Sequence, residues 1–154
     1  MTQFEANAAG SIELISFEIG GQEFCLDVRS VREIRGWTPA TPLPQAPDYI
    51  LGVINLRGAV MPIVDLRQRL GLGRTEPSNR HVIVVIERGQ RLAGVLVDGV
   101  QETFRVEAGL LQSPPRMAET REAPFVDAII PMEGRMLSRL VVETLLPVET
   151  ELAA

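Results

Sequence analysis

The chain has 154 residues, of which 45% are hydrophobic and 23% charged, a length and balance that suit one folded domain, or two small lobes sharing an interface, and exclude a disordered segment. Its formal charge is −5, from 15 Lys and Arg against 20 Asp and Glu, so nucleic-acid binding would need a local basic patch working against the overall field, and the sequence shows none. A single cysteine, Cys25, excludes an internal disulfide framework, and no apolar run approaches the ~18 residues of a membrane-spanning helix.

Residues 1–11 are polar and small, without the cationic start and apolar run of a secretory signal, and read as a flexible N-terminus of a cytoplasmic protein. Ile15, Phe17 and Ile19 then alternate with Ser16 and Glu18, which predicts a strand. Gly20-Gly21 supplies a tight reversal, and Phe24, Leu26 and Val28 continue the alternation on the returning strand. Four prolines between Thr38 and Pro47 prevent a helix or a central strand, leaving an extended loop or sheet edge. Pro47 to Leu51 fits a short helical turn closed by Gly52, followed by strands over Val53–Asn55 and Ala59–Val64 around a turn that presents Arg57 outward. Asp65 is placed to cap a helix through Leu66 and Leu70 that Gly71 stops.

Gly73 to Asn79 is polar and turn-rich, and we place a lobe boundary there. Beyond it, Val82–Ile86 and Leu92–Val97 read as buried strands around Arg88-Gly89-Gln90, and Asp98-Gly99 marks the next reversal. Val100, Glu102, Phe104 and Val106 share one face of a further strand. Ser113 to Pro124 has little to bury and reads as a mobile loop. Strands resume over Val126–Ile130 and Met136–Val142, and a short helix near Glu143–Leu146 ends at Pro147. The expected architecture is all-β: two small five-stranded barrels, one over about 12–72 and one over about 80–142, within a single domain at 12–147 and followed by a tail at 148–154. A single larger sandwich is the alternative, and the last strands could cross back to complete the first lobe.

The residues that carry chemistry are scarce. His81 is the only histidine and opens a strand, so it reads as a partly exposed strand end rather than a general base. Cys25 lies between apolar residues where a small side chain packs. The sequence has no His/Cys cluster, calcium-loop spacing or phosphate-cradling glycine motif, so neither cofactor nor metal is expected. A protein that works through its surfaces is the leading class, and an enzyme a distant alternative.

Val31-Arg32-Glu33-Ile34-Arg35-Gly36, the run from Pro47 to Gly58, and Pro62-Ile63-Val64-Asp65-Leu66-Arg67 strongly resemble the first-lobe signature of the CheW family. Gly94-Val95-Leu96-Val97-Asp98-Gly99-Val100 looks like that family's other recurring stretch, so the likeness covers Leu14 to Leu146 in order. It implies two barrels resembling Src-homology-3 barrels, and a non-catalytic adaptor that joins the cytoplasmic tips of chemoreceptors to the regulatory domain of a CheA-type histidine kinase. Such an adaptor would be cytoplasmic, recruited to receptor arrays without entering the membrane. Met1 and the polar tail ending in Ala154 are expected to bound a complete chain. A coupling module of a non-flagellar chemosensory pathway, serving surface motility or development, is the nearest rival.

Matched position by position, the resemblance assigns Glu33 and Arg57 to the receptor-contacting groove, where we expect them to pair. It assigns Val31, Ile34, Gly52, Val82, Gly94 and Val100 to apolar or small positions bordering that groove. Plain core packing is the competing expectation for Val31, Val82 and Val100. Leu43 and Val60 are the candidates for kinase contact, although for Val60 burial within its lobe is the stronger expectation. Trp37, the only tryptophan, suits either an interface anchor or loop packing. One departure from the family pattern is the last strand, where Ser138 and Arg139 stand in place of apolar residues leading to an aspartate, and this is expected to alter a sheet edge.

Overall fold

Gly20 and Gly21 adopt positive φ angles of 58° and 84°, and the hairpin they close pairs Leu14 with Asp27 through to Ile19 with Gln22. Its strands are β1 (Ser11–Ile19) and β2 (Gln22–Asp27). The computed structural model describes residues 10–114 and 123–147. The expectations for residues 1–9, for most of the 113–124 loop and for the tail from 148 lie outside the described residues. After the hairpin come β3 (Val31–Gly36), β4 (Ile50–Leu56), β5 (Ala59–Asp65), β6 (Val82–Arg88), β7 (Arg91–Val97), β8 (Gly99–Glu107), β9 (Val126–Met132) and β10 (Arg135–Leu140). Two single-turn helices, α1 (Leu66–Arg69) and α2 (Val142–Leu145), follow β5 and β10.

The strands form two five-stranded sheets, in the orders β8-β1-β2-β10-β9 and β3-β6-β7-β5-β4. Two five-stranded units were expected, but a division of the chain at 73–79 does not describe them. β1 and β2 join the last three strands, and β3 to β7 make up the second sheet. The exchange starts at Asp27, whose side chain accepts the Arg29 backbone N–H and caps a 3-10 turn over Val28–Ser30. That turn leads the chain out of the first sheet and into β3. β10 in turn lies parallel to β2 and between β2 and β9. Ser138 and Arg139 therefore occupy an interior strand, which corrects the expectation that they alter a sheet edge.

Three apolar clusters hold this arrangement together. Ile12, Leu14, Cys25, Ile130 and Leu137 fill the first sheet, and Met61, Ile63, Ile83, Val85 and Leu96 fill the second. Between the sheets lies a cluster to which both contribute: Phe17, Phe24 and Leu26 from the first, Val84, Ile86, Val95 and Val97 from the second, and Leu145 from α2. β1, β2, β6 and β7 are thus buried on both faces, since successive side chains point to opposite sides of a strand. Each fully buried Leu, Ile, Val or Phe contributes about 1.5–3 kcal/mol through removal from water.

Asp65 caps α1 as expected. Its carboxylate accepts the backbone N–H of Gln68 at 3.3 Å, and it also accepts the Thr75 backbone N–H at 2.8 Å and hydroxyl at 2.7 Å. The helical turn expected over 47–51 is reduced to one bond, from Ile50 N–H to the Pro47 carbonyl, because Ile50 already begins β4. Gly52 is therefore no helix cap. It sits at a register shift of β4 with φ at 146°, where the proline-rich segment crosses and Thr41 bridges to Val53 through two backbone hydrogen bonds of 2.9 Å.

Candidate functional site

β3 is an edge of the second sheet and β8 an edge of the first. Ile34 stands opposite Val84 and Gly36 opposite Val82 across the β3–β6 ladder, and residues two apart share a face, so Ile34 and Val82 lie on the same side of the sheet. Val31, Val82 and Val100 are half-buried and pack against the cluster between the sheets. Ile34 is 46% exposed. The structure thus brings four of the sequence-assigned residues to the junction of the two sheets, three covering its core and one reaching solvent.

Glu33 lies opposite Val85 and so faces the second sheet's own interior side. Arg57 and Gly58 form the two-residue turn between β4 and β5 with φ of 52° and 88°, and the Asn55 side chain accepts the Gly58 N–H at 2.9 Å. This turn carries the Arg57 guanidinium across to Glu33, where Nη2 lies 2.6 Å from Oε1. The expected pair is present, and Arg35 adds a second cation 3.2 Å from Glu33 Oε2. Since β3 and β4 are the two edges of this sheet, the pair ties its ends together. The hydrogen bond from Arg57, helped by Arg35, holds the Glu33 carboxyl below the usual glutamate range. Its contribution is therefore present above the ordinary glutamate pKa and is lost only as the pH falls through the lowered folded value.

Gly52 and Gly94 do not border the junction. Both are buried in the second sheet, where each makes room for the chain itself. A Cβ on Gly94 would lie 2.7 Å from Ile83 Cγ2 and 2.9 Å from Ile63 Cδ1. A Cβ on Gly52 would lie 2.3 Å from the Thr41 carbonyl oxygen. In a sequence, a glycine that admits a partner and one that admits a neighbouring strand look alike, which is why this assignment needs correcting.

Val60 is 69% exposed, which overturns the expectation of burial within its lobe. It separates two surface hollows of about 450 and 370 Å³, one shared with Thr38, Pro39 and Val53, the other with Leu56, Arg57 and Leu92. Leu43 is half-buried on the proline-rich segment. Trp37 packs on the second sheet's interior cluster and donates its backbone N–H to the His81 carbonyl, so loop packing accounts for it.

The sites where chemistry was sought are occupied by structural contacts. His81 Nδ1 accepts the Ser78 backbone N–H at 3.0 Å. Burial pushes the Cys25 thiol up to about 12, leaving no thiolate near neutral pH. A cavity of about 590 Å³ lies among Asp27, Arg29, Arg88, Asp127, Arg139 and Glu143, and these six charges fall into three ion pairs, of which Arg29 with Asp27 is one, at 2.8 Å. Arg139 lies 2.9 Å from Asp127 and Arg88 lies 2.7 Å from Glu143. Among the described residues, no three His, Cys, Asp or Glu side chains are placed to hold a metal ion, and no helix is long and apolar enough to cross a membrane.

The family model described as CheW-like domain matches residues 13–149. The chain is 48% identical over 145 residues to the chemotaxis protein CheW of Rhizobium meliloti strain 1021, covering 94% of each. It is 31% identical over 110 residues to the protein FrzA of Myxococcus xanthus, covering 71% of this chain and 69% of that one. Its structure is similar to the crystal structure of the scaffolding protein TtCheW from Thermoanaerobacter tengcongensis, with a TM-score of 0.77, 27% sequence identity, and coverage of 85% and 84% of the two chains.

Proposed function

The chain belongs to the CheW family, and from that premise we propose how a non-catalytic chemotaxis adaptor divides its surface between a chemoreceptor and a CheA-type histidine kinase. It acts in the cytoplasm, recruited to membrane-associated receptor arrays, and requires no cofactor. The receptor's helical hairpin tip lies along the junction of the two sheets. There a helix is held chiefly by apolar anchors removed from water, at roughly 25 cal/mol per Å². The observation that carries this reading is Ile34, exposed beside Val31, Val82 and Val100, whose side chains already cover the core beneath.

Ile34→Glu should weaken binding of a soluble receptor-tip fragment by about 3 kcal/mol, or roughly a hundredfold, because the charge must leave water on binding. Its thermal melting should match that of the parent protein. Val82→Glu should instead lower melting and binding together. Titration calorimetry beside a melting curve separates the two, and an Ile34→Glu protein that binds normally rejects the groove.

Glu33 and Arg57 shape the flank of this groove by fastening the ends of the second sheet. Exchanging them in the double variant Glu33→Arg, Arg57→Glu should restore much of the receptor binding that either single change removes. A double variant as weak as the singles would mean that the receptor touches these charges directly. Val60 and Leu43 offer the kinase's regulatory domain an apolar contact on the second sheet, and the exposure of Val60 supports this. Similarity to FrzA leaves a non-flagellar chemosensory pathway as the second reading, weaker in identity and in coverage. Pull-downs with kinases from both kinds of pathway discriminate them.

A further inference from the structure

Ile34 and its neighbouring valines lie where the two sheets meet, so the angle between the sheets sets the shape of that surface. One side chain away from β3 and β8 reaches across the junction. Arg69 ends α1, which continues β5 of the second sheet. Its guanidinium carbon lies 4.2 Å from the centre of the Tyr49 ring and 5.1 Å from that of Phe125, and Nη2 donates to the Thr144 carbonyl at 3.0 Å. Tyr49 belongs with the second sheet, since it precedes β4 and its carbonyl accepts the Asp65 N–H at 2.7 Å. Phe125 and Thr144 belong with the first: Phe125 precedes β9 and accepts the Val141 N–H at 2.8 Å, and Thr144 lies in α2, which continues β10. The cation is thus shared between a ring of each sheet and a carbonyl of the first.

We propose that Arg69 is a positioning residue for receptor coupling, fixing the angle between the two sheets and so the shape of the groove at the β3 and β8 edges. This inference rests on the receptor reading given above for its functional consequence. The geometry is directional, because a planar guanidinium stacks on a ring face while its in-plane N–H groups point along one line. Arg69 Nε is buried without a hydrogen-bond partner among the described residues. Two ring contacts and one hydrogen bond are a small part of what the apolar cluster shared by the sheets contributes, so the role of Arg69 is separable from holding the fold together. Two further arginines secure the same segment independently: Arg88 pairs with Glu143 at 2.7 Å, and Arg91 donates to the Pro147 carbonyl. With Arg69 replaced, α2 stays attached while the rings on either side lose their common partner.

The test compares Arg69→Met and Arg69→Lys with the parent in the full chain. Spin labels at Thr103→Cys on β8 and Gln90→Cys in the β6–β7 turn report the distance between sheets, the buried thiol of Cys25 staying unlabelled. Both variants should melt within a few degrees of the parent, broaden the distance distribution and bind a soluble receptor-tip fragment about tenfold more weakly. Binding of the isolated kinase regulatory domain should stay unchanged, because Val60 lies on the second sheet and Leu43 on the proline-rich segment bridged to its β4 strand, both away from the junction. The lysine result matters because it keeps the charge and loses only the plane. A distance distribution that stays narrow overturns the inference, as does a loss of receptor and kinase binding in step with melting. Failure of the parent protein itself to bind the receptor tip would instead sink the receptor reading, leaving the distances to judge Arg69.

Discussion

Gly52→Ala is expected to cost about 3–5 kcal/mol of stability, combining a disfavoured backbone angle with a collision that cannot relax. The residue sits at φ of 146°, a region that side chains rarely adopt. The added carbon would lie 2.3 Å from the Thr41 oxygen and 2.7 Å from its carbonyl carbon. That carbonyl cannot retreat without breaking the two hydrogen bonds that hold Thr41 to Val53. Against a total stability of roughly 5–15 kcal/mol for a domain of ordinary size, such a loss leaves a substantially unfolded population. Gly94→Ala provides the comparison. There the obstacles are side-chain methyl groups rather than backbone, the Ile63 Cδ1 free to turn aside and the Ile83 Cγ2 held on a stiff branched carbon, and a loss of about 1–3 kcal/mol is expected. Urea unfolding of both proteins measures the difference. If Gly52→Ala melted normally yet failed to bind receptor, this glycine would belong to the contact surface after all.

Phe17→Ala should remove about 3–5 kcal/mol, the range for emptying a buried aromatic position. Phe17 is fully buried in the cluster between the sheets and stacks on Phe24 with ring centres 6.3 Å apart. The sharper expectation concerns cooperativity. Phe17 lies in the first sheet, whereas Trp37 packs in the second. A shared core should carry the loss to both, so Trp37 fluorescence and far-ultraviolet circular dichroism should shift their midpoints together. A fluorescence transition that stays in place while the dichroism moves would mean that the sheets unfold separately.

Local pattern made much of this molecule legible. Alternation and paired glycines placed the first hairpin, and a carboxylate ahead of an apolar turn marked Asp65 as a cap. What remained hidden depends on partners distant in sequence. Nothing in β1 or β2 says that their neighbours are β8 and β10 rather than β3, because a strand's own residues specify which faces are buried and not by whom. Ser16 looked like the solvent side of β1, yet it is buried and donates its hydroxyl to the Glu102 carbonyl at 3.3 Å. Val60 shows the opposite failure, an apolar residue in a strand run that ends in water. The Glu33–Arg57 pair was expected on the strength of the resemblance alone. Twenty-four residues separate the two, and only the closing of a sheet brings them together.

The sheet orders nest one unit inside the other like parentheses. β3 to β7 run without interruption from Val31 to Val97, whereas the outer unit opens with β1 and β2 and is completed only when β10 inserts between β2 and β9. During synthesis the inner unit has all its strands before β8 leaves the ribosome and can cover Phe17 and Phe24, while the other face of the opening hairpin, with Ile12, Leu14 and Cys25, stays uncovered until Ile130 and Leu137 arrive at the end of the chain. A chain released after Val97 would therefore present a finished inner fold and a sticky, half-built outer one, the form on which a chaperone would be expected to act.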